Sequence, residues 1–325
     1  MNGEAVTSPN ADLLRLLACP ACREGELAGL DGRMVDGDVT CVRCGASYPV
    51  RGGIPVLFPP GFDATHVHDE IDHAHRHKHQ QAQYFDRGVA EEFEISRPHG
   101  APAAYRGLIE EKFRRSIARL PALAGATVLD ACCGSGMDAE MLARQGARVI
   151  AIDISEGCAA RAKARAERYG LDYLVVVGDV EHLPLRAAAV DIGYVHDGLH
   201  HLAEPAAGVR ELARVARAAV SVNEPADAFG TEVMVRLGVS QAWEDAGNRV
   251  ARLRPDDVAR VLAGEGFADV QAQRYLMFYR HEPGSAMRLA SRPGAWQAYR
   301  AAAALADAAL GRWGNKLQVT ATRAA

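Results

Sequence analysis

A glycine turn between two apolar runs, the second of which ends in a carboxylate, carries the clearest chemistry in this chain. Val128 and Leu129 lead into Asp130, and a Gly134–Gly136 turn follows. Asp153 stands 17 residues beyond Gly136, at the end of the next apolar run. Glycine lets a backbone approach a ligand closely, and a carboxylate at a second strand end can bind a ribose. The pattern predicts a nucleotide-like cofactor.

Two cofactors compete for this turn. Residues 134–139, Gly-Ser-Gly-Met-Asp-Ala, satisfy the spacing of dinucleotide-binding turns, so a nicotinamide dinucleotide is an alternative. Features beyond the turn favour S-adenosylmethionine (SAM). Asp130 can take a positive amino group, and Asp179, after the third predicted strand, can accept a hydrogen bond from an adenine amino group. A histidine-rich motif, residues 195–202, follows the fourth predicted strand.

Together these segments resemble class I SAM-dependent methyltransferases, of the branch that includes quinone-biosynthesis enzymes, over about residues 80–279. The resemblance implies a Rossmann-like α/β fold with a doubly wound, mainly parallel seven-stranded sheet. The cofactor contacts that it implies are Asp130, Gly134, Gly136, Asp153, Ile154, Asp179, Val180 and His196. Cys132 departs from the family, which usually has glycine there. Because cysteine is comfortable only at negative φ, we expect the turn to adapt to it.

The elements that must position these residues alternate between strand and helix from residue 121 onward. Alternation predicts a mainly parallel sheet covered on both faces, with ligands at the carboxyl ends of the strands. Strands are expected at 127–131, 148–154, 173–178, 191–196, 219–223, 270–279 and 317–322. Helices are expected at 80–92, 103–119, 137–145, 156–169, 205–217 and 255–265.

Three side chains near the ends of the fourth and fifth predicted strands are candidates for catalysis. His196 and His201 could serve as the base that deprotonates an oxygen or nitrogen acceptor, because histidine titrates near neutral pH. Packing or cofactor contact is the alternative for each. Glu224 is either an acceptor-side group or a salt-bridge or helix-cap partner. Insertions at 225–250 and 280–315 are expected to form a lid, a pocket wall or a dimer surface.

Four of the seven cysteines predict a metal site. Cys19 and Cys22 form one CxxC pair, Cys41 and Cys44 form another, and 18 residues separate the pairs. Four thiolates make a closed tetrahedral zinc site of the structural kind. Residues 12–60 resemble the small zinc-ribbon protein that activates several tRNA and protein methyltransferases in eukaryotes. This segment has six acidic and five basic side chains, so we expect an interaction or stabilising role and not RNA binding.

Three segments are therefore expected. These are a zinc ribbon at 12–60, a histidine-rich linker at 61–83 and a methyltransferase domain at 84–325. The six histidines of the linker could bind a transition metal, although a solvated polar linker is the simpler expectation.

Composition limits the partners. The net charge is −4, so nothing requires a polyanionic partner, and nucleic acid binding is not expected. No apolar run reaches the length of a membrane span, and no signal peptide is evident, which predicts a cytoplasmic protein. The expected partner is a small-molecule methyl acceptor, with a homodimer as an option. Methylation of RNA or protein and a nicotinamide-dependent oxidoreductase are the alternative functions.

Overall fold

The computed structural model describes residues 11–30, 34–62, 73–88, 102–236, 243, 251–277 and 285–324. Its strands are β1 Leu27–Ala28, β2 Gly37–Cys41, β3 Ser47–Arg51, β4 Ile54–Leu57, β5 Thr127–Ala131, β6 Arg148–Asp153, β7 Leu174–Gly178, β8 Val190–His196, β9 Ala216–Pro225, β10 Asp269–Tyr275 and β11 Lys316–Thr322. Its α-helices are α1 Ala11–Leu14, α2 His73–Asp86, α3 Ala103–Ile117, α4 Met137–Arg144, α5 Glu156–Tyr169, α6 Pro205–Val215, α7 Phe229–Arg236, α8 Pro255–Gly264, α9 Ser285–Ala290 and α10 Ala295–Leu310. Short 3₁₀ helices lie at Val180–His182, Leu199–His201 and Gly311–Trp313.

All eleven described strands form one mixed sheet in the order β1-β2-β3-β4-β7-β6-β5-β8-β9-β11-β10. Strands β4 to β9 pair in parallel through the middle of the sheet. Both ends are antiparallel, because β1 to β4 form a meander and β11 runs against β9 and β10. The Rossmann-like α/β fold is confirmed. The seven expected strands all form, as β5 to β11, but the sheet is mixed and has eleven strands, because β1 to β4 extend it beyond β7 and β11 runs antiparallel. The expectation of a seven-stranded sheet is therefore wrong.

Strand β4 is the reason for the larger sheet. Val56 and Leu57 of β4 pair with Val177 and Gly178 of β7 in parallel register. A second link lies nearby, where Leu17 forms an antiparallel bridge with the segment after β7. The four-cysteine segment is thus joined to the rest of the sheet by backbone hydrogen bonds.

Helices cover both faces of the sheet, as the alternating sequence predicted. Successive strand side chains point to opposite faces, so Leu129 packs in one hydrophobic cluster and Val128 in the other. Helices α6 and α8 contribute to the cluster of Leu129, whereas α3, α4 and α5 contribute to that of Val128. Leu17 and Leu57 belong to the cluster of Leu129, so the N-terminal segment shares a core with the parallel sheet.

Local signals in the sequence set several of these boundaries. Ser155 accepts a hydrogen bond from Cys158 N at 2.9 Å and caps the start of α5, and Gly170 ends that helix at φ +59°. Helix α2 begins at His73, inside the predicted linker, and His66 and His68 lie outside the described residues. The division into domains stays a prediction. No helix in the described ranges is both long and apolar enough to span a membrane.

The shared core gives a test. Leu17→Ala removes a side chain that is 2% exposed, and deleting a buried leucine costs about 2–5 kcal/mol. We expect one cooperative urea transition, moved to lower urea for the whole chain. Leu305→Ala is the control, because Leu305 is 73% exposed, and it should leave the midpoint almost unchanged. Two separate transitions, with only the smaller one moved by Leu17→Ala, would contradict a shared core.

Candidate functional site

The parallel strands bring the predicted site residues to one edge of the sheet. Asp153 ends β6 and His196 ends β8. Asp130 is the penultimate residue of β5, which lies between them, and Asp179 follows β7. Glu224 lies near the end of β9 on the far side of β8. Neighbouring strands are about 4.8 Å apart, so these polar side chains form a row along the carboxyl edge.

Asp153 holds two loops together. Its Oδ2 accepts a hydrogen bond from Gly134 N at 2.8 Å, and its Oδ1 accepts one from Ser155 N at 2.9 Å. Burial raises the pKa of this carboxyl against the effect of those two N–H groups. Gly136 has φ +76°, and a Cβ there would lie 2.9 Å from Ala162 Cβ, so glycine is needed for both conformation and space.

Cys132 does not reshape the turn. It adopts φ +55°, the left-handed conformation that glycine favours, so the expectation of an adapted turn with negative φ is wrong. The strain of such a residue costs on the order of 1–2 kcal/mol. Its side chain lies against Gly198, where an added Cβ would be 2.3 Å from Cys132 Cβ. The loop after β8 therefore accommodates the cysteine by having a glycine opposite it.

Asp130 is a buried acid with an unused oxygen. The residue is 2% exposed, and its Oδ2 has no hydrogen-bond partner among the described residues. Burial, together with the negative charges of Asp138 and Asp153, raises the pKa of Asp130 well above its ordinary value. A cation that reached Oδ2 would compensate the burial cost of this carboxylate.

Asp179 already has partners. Its Oδ1 accepts a hydrogen bond from Glu181 N at 2.9 Å, and Lys78 Nζ of α2 lies 2.5 Å from both Asp179 Oδ2 and Glu181 Oε2. Burial acts to raise the pKa of Asp179, but His182 and Lys78 outweigh it and lower the pKa. Val180 beside it is buried, and Ile154, which follows β6, is half-buried.

Helix α2 lies over this edge of the sheet. His77 Nε2 donates to the carbonyl oxygen of His201 at 2.7 Å, and the ring of Phe85 packs edge-to-face on the ring of His201 at 5.2 Å. At the end of the helix, Asp86 Oδ1 accepts hydrogen bonds from Ser155 Oγ at 2.6 Å and Gly157 N at 2.8 Å. The helix thus contacts the loops that follow β6, β7 and β8.

Glu224 is fully buried and holds the loop after β8. Its Oε1 accepts hydrogen bonds from Gly198 N and Leu199 N, both at 2.7 Å, and its Oε2 lies 2.7 Å from His200 Nδ1. Three contacts to one loop indicate a positioning role for this carboxylate. A catalytic role for Glu224 stays a prediction.

A group of charged residues that the sequence reasoning missed surrounds His196. Lys112 of α3 contacts Asp197 Oδ2, and Lys316 Nζ of β11 lies 2.7 Å from Asp197 Oδ1. Burial acts to raise the pKa of Asp197, but the two lysines hold it well below its ordinary value. The sequence contained one signal of this group. Lys112 lies four residues after Leu108, so a charged side chain shares the apolar face of its helix. On the other side, Asp138 Oδ2 lies 2.6 Å from His196 Nδ1.

The four predicted zinc ligands come together. The Sγ atoms of Cys19, Cys22, Cys41 and Cys44 all lie within 4.8 Å of one another. The pairs Cys19–Cys44 and Cys22–Cys41 are separated by 3.6 and 3.7 Å, close to the edge of about 3.8 Å in a zinc–thiolate tetrahedron with bonds of about 2.3 Å. Burial raises the pKa of Cys41, but N–H groups of Cys44 and Arg43 outweigh it and lower the pKa to about 6.

Several known proteins that are similar to this chain are methyltransferases. A family model described as a methyltransferase domain matches residues 129–220. A ubiquinone biosynthesis O-methyltransferase of Xylella fastidiosa is 32% identical over 194 residues, which cover 55% of this chain and 76% of that protein. The magnesium protoporphyrin IX methyltransferase of Synechocystis PCC 6803, crystallised with SAH, has the same fold, with a TM-score of 0.53 and 20% identity over 75% of this chain and 98% of that one.

Other curated relatives match over a smaller share of their length. A probable S-adenosylmethionine-dependent methyltransferase of Mycolicibacterium smegmatis is 30% identical over 164 residues, 46% of this chain and 60% of that protein. A demethylmenaquinone methyltransferase of Thermobifida fusca is 35% identical over 105 residues, 31% of this chain and 44% of its own length. The chain thus spans less than two thirds of each of these relatives.

Proposed function

The chain belongs to the SAM-dependent methyltransferase family, and from this we propose that it transfers a methyl group from SAM to a small organic acceptor. The observation that carries the proposal is the buried Oδ2 of Asp130 beside the Gly134–Gly136 turn, which has no hydrogen-bond partner among the described residues. SAM has a positively charged amino group in its methionine part, and a buried carboxylate oxygen without a partner suits that group. When bound, SAM supplies an electrophilic methyl group on a sulfonium.

The neighbouring carboxylates would orient the rest of the cofactor. Each oxygen of Asp153 accepts one backbone N–H and keeps a lone pair for a ribose hydroxyl. Ile154 and Val180 would flank the adenine, and Asp179 would accept from its amino group. Since Lys78 already contacts Asp179, this lysine must share that carboxylate with adenine or move away from it.

Composition and relatives support a small acceptor. The net charge of −4 gives no basic surplus for RNA, and the Xylella fastidiosa relative is named for ubiquinone biosynthesis. His196, buried at the end of β8, is our choice for a base. The ring of His201 is packed against Phe85 and His200, which favours a packing role, and Glu224 would position the loop that carries both histidines.

We also propose that residues 12–60 act within the same chain as a stabilising module. Cys19, Cys22, Cys41 and Cys44 would hold a structural zinc ion, and strand β4 would protect the edge of β7. An exposed strand edge offers unpaired backbone groups to other chains, so covering it favours solubility. In this role the metal supports folding and not the chemical step.

Cofactor binding tests the role of Asp153. We expect Asp153→Ala to weaken SAM and SAH binding by about 10- to 150-fold in isothermal titration, because a hydrogen bond to a charged group contributes about 1.5–3 kcal/mol. Asp269→Ala, at the exposed start of β10, is the matched control. Asp153→Asn, which keeps the side-chain size, separates lost contact from lost folding. Unchanged affinity in both Asp153 variants would refute this assignment.

Methyl transfer tests the function itself. With labelled SAM, we expect label to appear in a total metabolite extract and not in total RNA or protein from the same cells. Chain carrying Asp130→Asn should bind SAM less tightly and transfer less label, because it lacks the anion for the amino group. Labelled RNA or protein with unlabelled metabolites would instead favour a macromolecular acceptor. Titration with NAD is expected to give no heat of binding.

Metal analysis tests the cysteine cluster. Protein purified without chelators should contain one zinc ion per chain. A strong chelator should move the single urea transition of the whole chain to lower urea, because metal binding and folding are linked in small ribbons and residues 12–60 share a core with the sheet. Cys41→Ser should lose the metal, whereas Cys158→Ser, which changes a buried cysteine outside the cluster, should retain it. A wild-type protein without zinc would sink this proposal.

A further inference from the structure

One ring nitrogen of His196 has a hydrogen-bond partner, and the other has none among the described residues. Its side chain is 7% exposed, and Nδ1 lies 2.6 Å from Asp138 Oδ2. Nε2 is 3.8 Å from Asp197 Oδ2, beyond hydrogen-bond distance, and is buried with no hydrogen-bond partner in the ranges that the structure describes. A buried polar atom left unpaired costs about 1–3 kcal/mol, so a bound molecule with a suitable hydrogen-bonding group would recover that energy.

Asp138 determines whether that group must donate or accept a hydrogen bond. An ionised carboxylate only accepts hydrogen bonds, so Nδ1 of His196 must carry the proton that they share. In the neutral ring this leaves Nε2 with a lone pair, which requires a donor. Asp138 lies in the first turn of α4, where the partial positive charge of the helix start favours an anion. The carboxylate is therefore well placed to fix the tautomer of His196.

We propose that Asp138 and His196 form a proton-accepting pair, in which Asp138 is a positioning residue and Nε2 of His196 takes a proton from an acceptor with an O–H or N–H group. The inference rests on the proposed methyl transfer and narrows its substrate class. An acceptor that reacts as an anion already formed has no such proton to donate and would leave Nε2 without a donor.

Proton transfer to His196 and methyl transfer to the acceptor are coupled for both oxygen and nitrogen acceptors. The O–H or N–H bond of the acceptor breaks, and the proton moves to Nε2. An oxygen acceptor attacks with the pair that the broken O–H bond leaves, whereas a nitrogen acceptor attacks with the lone pair that it already has and keeps the N–H electrons as a new lone pair. The attacking pair forms a bond to the methyl carbon, while the bond from that carbon to sulfur breaks and its electrons stay on sulfur. The products are a methylated acceptor, a neutral thioether and an imidazolium, which Asp138 stabilises by its charge.

Several charged groups set the pH response of this pair. Those that interact with His196 directly or through Asp197 are Asp138 of α4, Asp197 and His200 after β8, Lys112 of α3 and Lys316 of β11. Asp130 of β5 interacts with Asp138. Lys112 and Lys316 both contact Asp197, which leaves Asp138 as the carboxylate bonded to the ring. Removing its charge should make the imidazolium harder to form, so the ring should protonate only at lower pH.

The test is Asp138→Asn in the whole protein with SAH added, read by nitrogen NMR of labelled histidine, with His196→Gln to assign the signal. In the wild type we expect neutral His196 to carry its proton on Nδ1. In Asp138→Asn we expect a mixture of tautomers and protonation about one pH unit lower, the scale of a lost neighbouring charge. Asp256→Asn is the control, because Asp256 is likewise the second residue of its helix but is exposed.

Turnover gives the second readout. With labelled SAM and the metabolite extract, Asp138→Asn should lower the initial rate about 10- to 100-fold, the usual effect of losing a group that orients a functional histidine. At saturating SAM, the acid limb of its pH profile should move to lower pH. The double variant with Asp138→Asn and His196→Gln should have an initial rate only slightly below that of His196→Gln alone, because the effects of residues that act as a unit are not additive.

The two proposals fail in different ways. A wild type that neither binds SAM nor transfers label refutes the proposed function, and the NMR measurement still tests the pair. An active wild type whose tautomer, pH profile and rate are unchanged by Asp138→Asn overturns the pair alone. Stability loss without a change in tautomer or pH profile would likewise overturn it, because Asp138 would then be structural.

Discussion

The carboxylate of Asp153 accepts a hydrogen bond from the turn after β5 and another from the start of α5, and the candidate site depends on this double contact. It ties the ends of two adjacent parallel strands, so the glycine turn and the strand end stay in register. Helix α2 then docks on the same junction, because Asp86 bonds Ser155 and Gly157. A single buried acid thus orders the glycine turn, and the helix that lies over it docks on the same junction.

The carboxylates along this edge differ in pKa because their surroundings differ. Asp130 is buried among other acids, and both the burial and their charges raise its pKa, so a bound cation would favour its ionised form. Asp197 is held by two lysines that lower its pKa. The stability from that ion cluster is present above the ordinary aspartate pKa and is lost as pH falls through the lowered value. Two aspartates at this edge, Asp130 in β5 and Asp197 after β8, therefore have pKa values shifted in opposite directions by their surroundings.

The sequence predicted the strand–helix alternation and the row of polar residues at strand ends, because both follow from apolar periodicity and from chain order. It could not predict the pairing of β4 with β7, since Val56 and Val177 are 121 residues apart and a four-residue strand carries no partner information. The left-handed Cys132 was missed because its conformation depends on Gly198 opposite it. Lys78 and Asp138 acquire their partners only when α2 and α4 reach the sheet edge.

The position of β4 in the sheet has a consequence for how the chain is made. Residue 57 leaves the ribosome 117 residues before residue 174, where its partner strand β7 begins. At about 5–20 residues per second, the N-terminal segment spends roughly 6–23 seconds with the β4 edge bare. Charged side chains or a strong local twist normally protect such an edge. Here the edge of β4 is covered only when β7 of the same chain has been synthesised. Nascent chains stalled within this interval are the form of this protein most exposed to mispairing and to capture by chaperones.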